Sequence, residues 1–273
     1  MTDLLQLVRA PNLLLAFAGV CGGGCIALGR LALPGDVAWA ALSGLGLGAA
    51  GNVLNDLLDV DVDAANRRRD RPLAGRRIGV KTAAASLVGG AVVGLGSAAL
   101  AGQLVLLVGV IALAVMLAYS PFLKPVPFLG NLAVAAVAGL PLMYGALAAR
   151  RPAAGVVPWV LAAGIHLVRE IVKDIDDLEG DRVAQRRTLP VLLGRGGAAA
   201  VAGVAALAFV PLSFVLPRAG GYGGAYFVIA LPAQMAVLIA ASRLFVGRVE
   251  RVSALLKAAM VAGVAALVAG RVA

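Results

Sequence analysis

Charge is scarce in this chain. Only 14% of its 273 residues are Asp, Glu, Lys or Arg, against 61% hydrophobic residues, and the mean hydropathy is +0.95. A water-soluble globule has about 25% charged residues, so the scarcity excludes one. Histidine occurs once, at His166, and cysteine twice, at Cys21 and Cys25. Their near absence argues against zinc, which needs several such ligands. The long Ala/Leu/Val/Gly runs also lack the period-two alternation of membrane strands, which excludes a β-barrel.

What is present instead is an all-α, polytopic membrane pattern. Apolar stretches near the ~20 residues a helix needs to cross a bilayer recur at 12–30, 36–55, 81–100, 102–121, 129–149, 156–174, 197–217, 224–243 and 252–270. They predict nine transmembrane helices in one domain covering residues 1–273. With alternate loops assigned to opposite sides, 19 of the 24 Lys and Arg fall on the side of the N-terminus. Only Arg30, Arg150, Arg151, Arg218 and Arg271 fall on the other. The asymmetry predicts a multi-pass protein of the cell membrane with a cytoplasmic N-terminus. A net charge of +10 then reflects topology and attraction to anionic lipid headgroups, and gives little reason to propose nucleic acid. Asp3 ahead of a full-length first span argues against a cleavable signal peptide. Cys21 and Cys25, stacked at i, i+4, and most of the 35 glycines read as small residues at helix–helix contacts.

Two short segments, Asn55–Asp63 and Asp174–Asp181, hold nine of the 14 acidic residues, and both fall on the cytoplasmic side. Carboxylates are costly near hydrocarbon and mark a functional site there. Overlaying Asp59/Asp63 on Asp177/Asp181 also overlays the Pro-containing runs that follow them, Arg71-Pro72-Leu73 and Thr188-Leu189-Pro190. The halves therefore look like distant copies, an arrangement that places a functional site at the repeat interface. On a helix, Asp59 with Asp63 and Asp177 with Asp181 are carboxylate pairs, with Asn55 and Asp56 one turn before the first and Asp174 one turn before the second. Two unit charges ~6 Å apart repel by ~3 kcal/mol at an effective dielectric of ~20, so facing pairs need a cation. Magnesium suits them, because it takes a few carboxylates together with water and substrate phosphate oxygens, and calcium-loop spacing is absent. Basic residues follow each segment: Arg67, Arg68, Arg69, Arg71, Arg76 and Arg77, then Arg182, Arg186 and Arg187. Arg71 especially offers a planar fork for phosphate, and Lys124 is a cation at a helix end on the same side. His166, Glu170, Lys173, Asp174 and Asp177 follow one helical face into the second segment. His166 is expected to pack or to orient substrate.

At these residues the chain resembles the UbiA superfamily of intramembrane prenyltransferases. Asn55, Asp56, Asp59 and Asp63 fit its N-D-x-x-D-x-x-x-D, and Arg71-Pro72-Leu73 its R-P-[LI]. Asp177 and Asp181 fit D-x-x-x-D, preceded by Lys173 and Asp174 in K-D-x-x-D; Tyr119-Ser120 with Lys124 fits Y-S-x-x-x-K. Arg9 and Asn12 are similar to the opening of the family's first helix, with Ala10 where it has Pro, and Ala74-Gly75 replaces a common P-S-G. The resemblance implies a nine-helix bundle in which Asn55, Asp59, Asp63, Asp177 and Asp181 hold Mg2+ on an isoprenyl diphosphate. Lys124, Arg71 and Tyr119 would assist the diphosphate. Arg9, Asn12, Asp56, Arg67, Lys173 and Asp174 join the candidate substrate-binding set. The run from Arg169 to Pro190 resembles most those members that move a geranylgeranyl group onto the hydroxyl of geranylgeranylglyceryl phosphate in ether-lipid synthesis. An aromatic acceptor such as 4-hydroxybenzoate or a naphthoate stays open, as does an ion-coupled transporter. The D-G-x-x-A-R run of a CDP-alcohol phosphatidyltransferase is missing.

Overall fold

In bilayer hydrocarbon every backbone N–H and C=O must be satisfied within its own segment, and a long apolar run does this by coiling into a helix. The computed structural model describes residues 2–65, 68, 70–124 and 126–273, and those residues form helices without strands. In chain order the helices are α1 (Thr2–Leu7), α2 (Ala10–Leu28), α3 (Gly35–Leu58), α4 (Val60–Ala65), α5 (Val80–Ala101) and α6 (Gln103–Ala118). A π-helical turn, Tyr119–Leu123, prolongs α6. There follow α7 (Leu129–Ala148), α8 (Pro152–Asp176), α9 (Leu178–Val183), α10 (Leu189–Ala219), α11 (Gly224–Ile229), α12 (Leu231–Phe245) and α13 (Val252–Val272).

Among the described residues eight helices are long and apolar enough to cross a membrane, with α11 and α12 acting as one. They fall on eight of the nine expected stretches. The remaining stretch, 102–121, is the 16-residue α6, which carries on into the π turn instead of continuing as a straight helix. The stretch expected from 197 begins earlier, at Leu189, because α10 runs on both sides of Gly194, whose φ of 72° bends it near its start.

The helices close into a ring. α2 packs on α3 and α7, α3 on α5 and α6, α7 on α8, α8 on α10, α10 on α12, α12 on α13, and α13 returns to α2 and α8. Four apolar clusters support it, two of them large. One gathers Val20, Ala40, Leu47, Val105 and Tyr144 in the first half; the other gathers Ile171, Val172, Ala202, Val237 and Leu256 in the second. Glycine sets the closest approaches: a Cβ on Gly145 would lie 1.9 Å from the Val20 carbonyl oxygen, and one on Gly46 2.5 Å from the Gly94 nitrogen. Both cysteines are free thiols. Large apolar side chains such as Val92, Leu104, Val204 and Val228 remain exposed on the perimeter, where lipid is their solvent.

Candidate active site

The two acidic segments adopt the same local structure. α3 stops at Leu58, Asp59 leaves helical geometry (φ −102°, ψ 11°), and the short α4 carries Asp63. In the second half α8 stops at Asp176, Asp177 leaves it (φ −93°, ψ 2°), and the short α9 carries Asp181. The amide of Asp63 still donates to the Asp59 carbonyl at 2.8 Å and that of Asp181 to the Asp177 carbonyl at 3.0 Å. Each D-x-x-x-D thus keeps its i, i+4 relation across a bend that an unbroken helix would not have. α4 packs against α9, bringing the two segments together.

They close one end of a cavity of about 560 Å³ inside the ring. Asn55, Asp59, Asp63, Asp177, Asp181 and Tyr119 line it, as do Arg9, Asn12, Arg71, Lys124, Lys173 and Asp174. Most of its remaining wall is apolar, from residues such as Leu47, Val115, Met116, Ile165, Phe209 and Val237. Asp56 is placed behind the wall: it is 1% exposed, and one of its oxygens accepts from Arg9 at 2.5 Å and also from Arg71. That carboxylate aims two arginines at the cavity. Arg67 lies outside the described residues.

Cations cross-link the carboxylates. Lys124 Nζ donates to Asp59 Oδ2 at 2.8 Å and Arg186 Nη2 to Asp59 Oδ1 at 2.6 Å. Arg186 Nη1 also lies 3.5 Å from Asp181 Oδ1, Arg71 Nη1 lies 3.7 Å from Asp63 Oδ2, and Arg68 pairs with Asp177. Burial alone would push the Asp59 carboxyl up, but Lys124 and Arg186 outweigh it and hold the group below the usual carboxylate value. Burial wins at Asp63 and at Asp181, which are pushed up despite Arg71 beside one and Lys124 near the other. The Tyr119 phenol faces the same cavity, and a phenol keeps its proton at neutral pH, so it serves as a donor. Lys124 stands 6.0 Å from the centre of that ring.

Farther along the wall, Asp174 accepts from Asn131 at 2.7 Å, and buried Glu170 accepts from Lys173 at 2.6 Å and Arg169 at 3.4 Å. His166 lines the same wall, with its Nδ1 buried and unpartnered among the described residues. The basic loops were evident in the sequence, but nothing there singled out Arg186 and Arg68 as the residues that reach across. Asn131 gave no signal.

Among the described residues no three acidic, His or Cys side chains converge closely enough to hold a metal ion. The donors present nevertheless have the right chemistry for magnesium: they are all oxygens, and among the described residues both carboxylate oxygens of buried Asp181 lack a hydrogen bond. Arginine and lysine neutralise the remainder.

The fold and site together define a membrane-embedded enzyme with an acidic mouth over an apolar chamber. The chain belongs to the UbiA prenyltransferase family, whose pattern it matches over residues 13–268. It is 36% identical over 243 residues to a digeranylgeranylglyceryl phosphate synthase of Methanopyrus kandleri, covering 88% of each chain. Its fold is similar to the apo structure of a UbiA homolog from Aeropyrum pernix K1, with a TM-score of 0.82, 25% identity and coverage of 95% of this chain and 97% of that one. A UbiA homolog from Archaeoglobus fulgidus bound to GPP and Mg2+ shares the fold at a TM-score of 0.65 and 19% identity, covering 96% and 99%.

Proposed function

We propose that this prenyltransferase moves a geranylgeranyl group from geranylgeranyl diphosphate to the free hydroxyl of geranylgeranylglyceryl phosphate, a step of ether-lipid synthesis. The observation that carries the reading is the pairing of Asp59/Asp63 with Asp177/Asp181 at the mouth of a chamber that is otherwise largely apolar. The chamber suits a long prenyl chain, and the mouth suits a metal diphosphate. The name borne by the 36% identical relative favours a lipid phosphate acceptor over an aromatic acid.

In this mechanism Asn55, Asp59, Asp63, Asp177 and Asp181 hold Mg2+, the ion bound together with GPP in the relative from Archaeoglobus fulgidus. The ion supplies Lewis-acid stabilisation of the charge that collects on the departing diphosphate. Lys124, Arg71 and the neutral phenol of Tyr119 bind the same anion, aimed where charge grows as the allylic C–O bond lengthens. The apolar wall holds the tail and keeps out water that would capture the cation-like carbon. The acceptor hydroxyl oxygen forms the new C–O bond, its proton passes to a base, and diphosphate leaves. Asp174, 2.7 Å from Asn131 and on the cavity wall, is the carboxylate assigned to that proton. Excess Lys and Arg in the loops beside the site favour a cytoplasmic mouth.

Purified protein given radiolabelled geranylgeranyl diphosphate, magnesium with or without chelator, and geranylgeranylglyceryl phosphate beside 4-hydroxybenzoate tests the reading. Magnesium-dependent label in the lipid phosphate is expected. Label in the aromatic acid would move the enzyme to quinone synthesis, and label in neither would overturn the assignment.

A further inference from the structure

The cavity mouth has a second electrostatic face, apart from the two D-x-x-x-D pairs. Arg169 and Lys173 extend from the last turns of α8, Arg9 precedes α2, and Lys257 lies in the second turn of α13. All four line the cavity, and α13 packs on both α2 and α8, so the cations gather at the corner where those three helices meet. Arg169, Lys173 and Arg9 are among the charges felt at Lys257.

Their counter-charges fall short. Glu170 serves both Arg169 and Lys173, and Asp56 serves Arg9 but is shared with Arg71. Among the described residues Lys257 has no ion pair and the buried Nε of Arg169 has no hydrogen-bond partner. Asp174 is the remaining carboxylate near Lys173. Four cations facing three carboxylates, one of them shared with a fifth cation, leave a positive surplus at the cavity rim, where Lys257 is exposed. A cluster of one sign at a cavity rim draws an anion of the opposite sign to it.

We propose that Lys257 and Arg169, with Lys173 and Arg9 beside them, form a binding site for the phosphate monoester of the lipid acceptor, distinct from the aspartate mouth that takes the diphosphate. The inference rests on the acceptor assigned above. It makes the chamber a two-anion site, with diphosphate on the α3/α4/α9 side and monophosphate on the α2/α8/α13 side. The acceptor hydroxyl then falls between them, on the stretch of wall that carries Asp174. An aromatic carboxylate such as 4-hydroxybenzoate brings one negative charge, whereas a phosphate monoester carries about −1.5 to −2 at neutral pH, so the cluster favours the phosphate and acts as a selectivity device.

Binding without turnover separates this site from the diphosphate site. In EDTA, geranylgeranylglyceryl phosphate and its dephosphorylated alcohol are titrated against wild type, K257Q, K257R and R169Q. Wild type is expected to prefer the phosphate, K257Q and R169Q to weaken phosphate binding about tenfold each, as loss of a charge-assisted hydrogen bond does, and K257R to restore it. Binding of the alcohol should not change. In turnover, K257Q should raise the KM for the phosphate acceptor and leave that for geranylgeranyl diphosphate alone. Equal weakening of phosphate and alcohol, undiminished phosphate binding in both variants, or no preference for phosphate in wild type would overturn the site. Transfer to 4-hydroxybenzoate alone would sink the assigned reaction, and the EDTA titration would still decide whether this corner holds a phosphate.

Discussion

Arg186 joins the two halves of the chain: its Nη2 donates to Asp59 Oδ1 at 2.6 Å across 127 residues of sequence. Its other terminal nitrogen stands 3.5 Å from Asp181 Oδ1. One guanidinium thus offsets one carboxylate from each D-x-x-x-D, the task assigned to a divalent ion when substrate is bound.

Removing that guanidinium should therefore matter most when magnesium is absent. Arg186→Ala leaves two buried carboxylates without it and is expected to destabilise the chelated protein by about 1–3 kcal/mol. Added magnesium should recover part of the loss. Thermal unfolding in detergent, with EDTA and with Mg2+, measures both; an identical deficit in the two conditions would count against the exchange.

Asp63→Asn and Asp181→Asn each remove a charge from the proposed metal set while keeping shape. Each is expected to lower prenyl transfer by at least about 100-fold, the scale of losing one preorganised electrostatic group, with membrane insertion and elution profile unchanged. Full activity in either variant would remove the shared metal from the mechanism.

The fold was largely legible because bilayer thickness fixes helix length, and eight stretches chosen by hydropathy alone coincide with long helices. Spacing also identified the two aspartate pairs, since i, i+4 is a local relation. It did not show that each helix breaks at the first aspartate of its pair, because D-V-D-V-D and D-D-L-E-G-D contain no helix breaker at Asp59 or Asp177. Nor did it show which arginine of each basic loop reaches a carboxylate of the other half: Arg68 pairs with Asp177 and Arg186 with Asp59. Those pairings follow from the packing of α4 on α9. The role of Asp56 as the anchor of Arg9 and Arg71 was hidden for the same reason.

Glu170 offers a test that does not depend on metal. It is 5% exposed and neutralises Arg169 and Lys173 together. Glu170→Gln leaves two cations unpaired near the membrane interior, and a loss of about 3 kcal/mol is expected. Heat denaturation of the purified protein reads it directly, and a change under about 0.5 kcal/mol, the surface-substitution range, would mean that the cations find other partners.

The α2–α7 contact can be tested by one methyl group. A Cβ on Gly145 would stand 1.9 Å from the Val20 carbonyl oxygen and 2.5 Å from the Gly24 nitrogen, both backbone atoms with no rotamer to escape into. Gly145→Ala must push the two helices apart, so a loss of about 1–3 kcal/mol is expected. Gly263→Ala is the control, since a Cβ there meets nothing within 4 Å.

Magnesium binding should depend on pH with a definite sign. Burial raises the folded-state carboxyls of Asp63 and Asp181 above the ordinary value of 3.8. Groups so raised favour the folded state fully below the unfolded value and lose that contribution as pH climbs through the folded one. Asp59 acts in the opposite sense: its lowered carboxyl stabilises the fold above the unfolded value, and that support is lost as pH falls through the folded one. Between 3.8 and the raised folded values, protons on Asp63 and Asp181 therefore compete with the metal, and above that window the carboxylates are free but mutually repulsive. The magnesium concentration for half-maximal activity should fall as pH rises through this window, and the stabilisation conferred by magnesium should grow over the same range. Melting temperatures with and without Mg2+, taken at intervals from about pH 4 to neutral within the range where carboxylates titrate, give the sign, and a stabilisation that shrinks as pH rises would exclude Asp63 and Asp181 as the carboxylates that bind the ion.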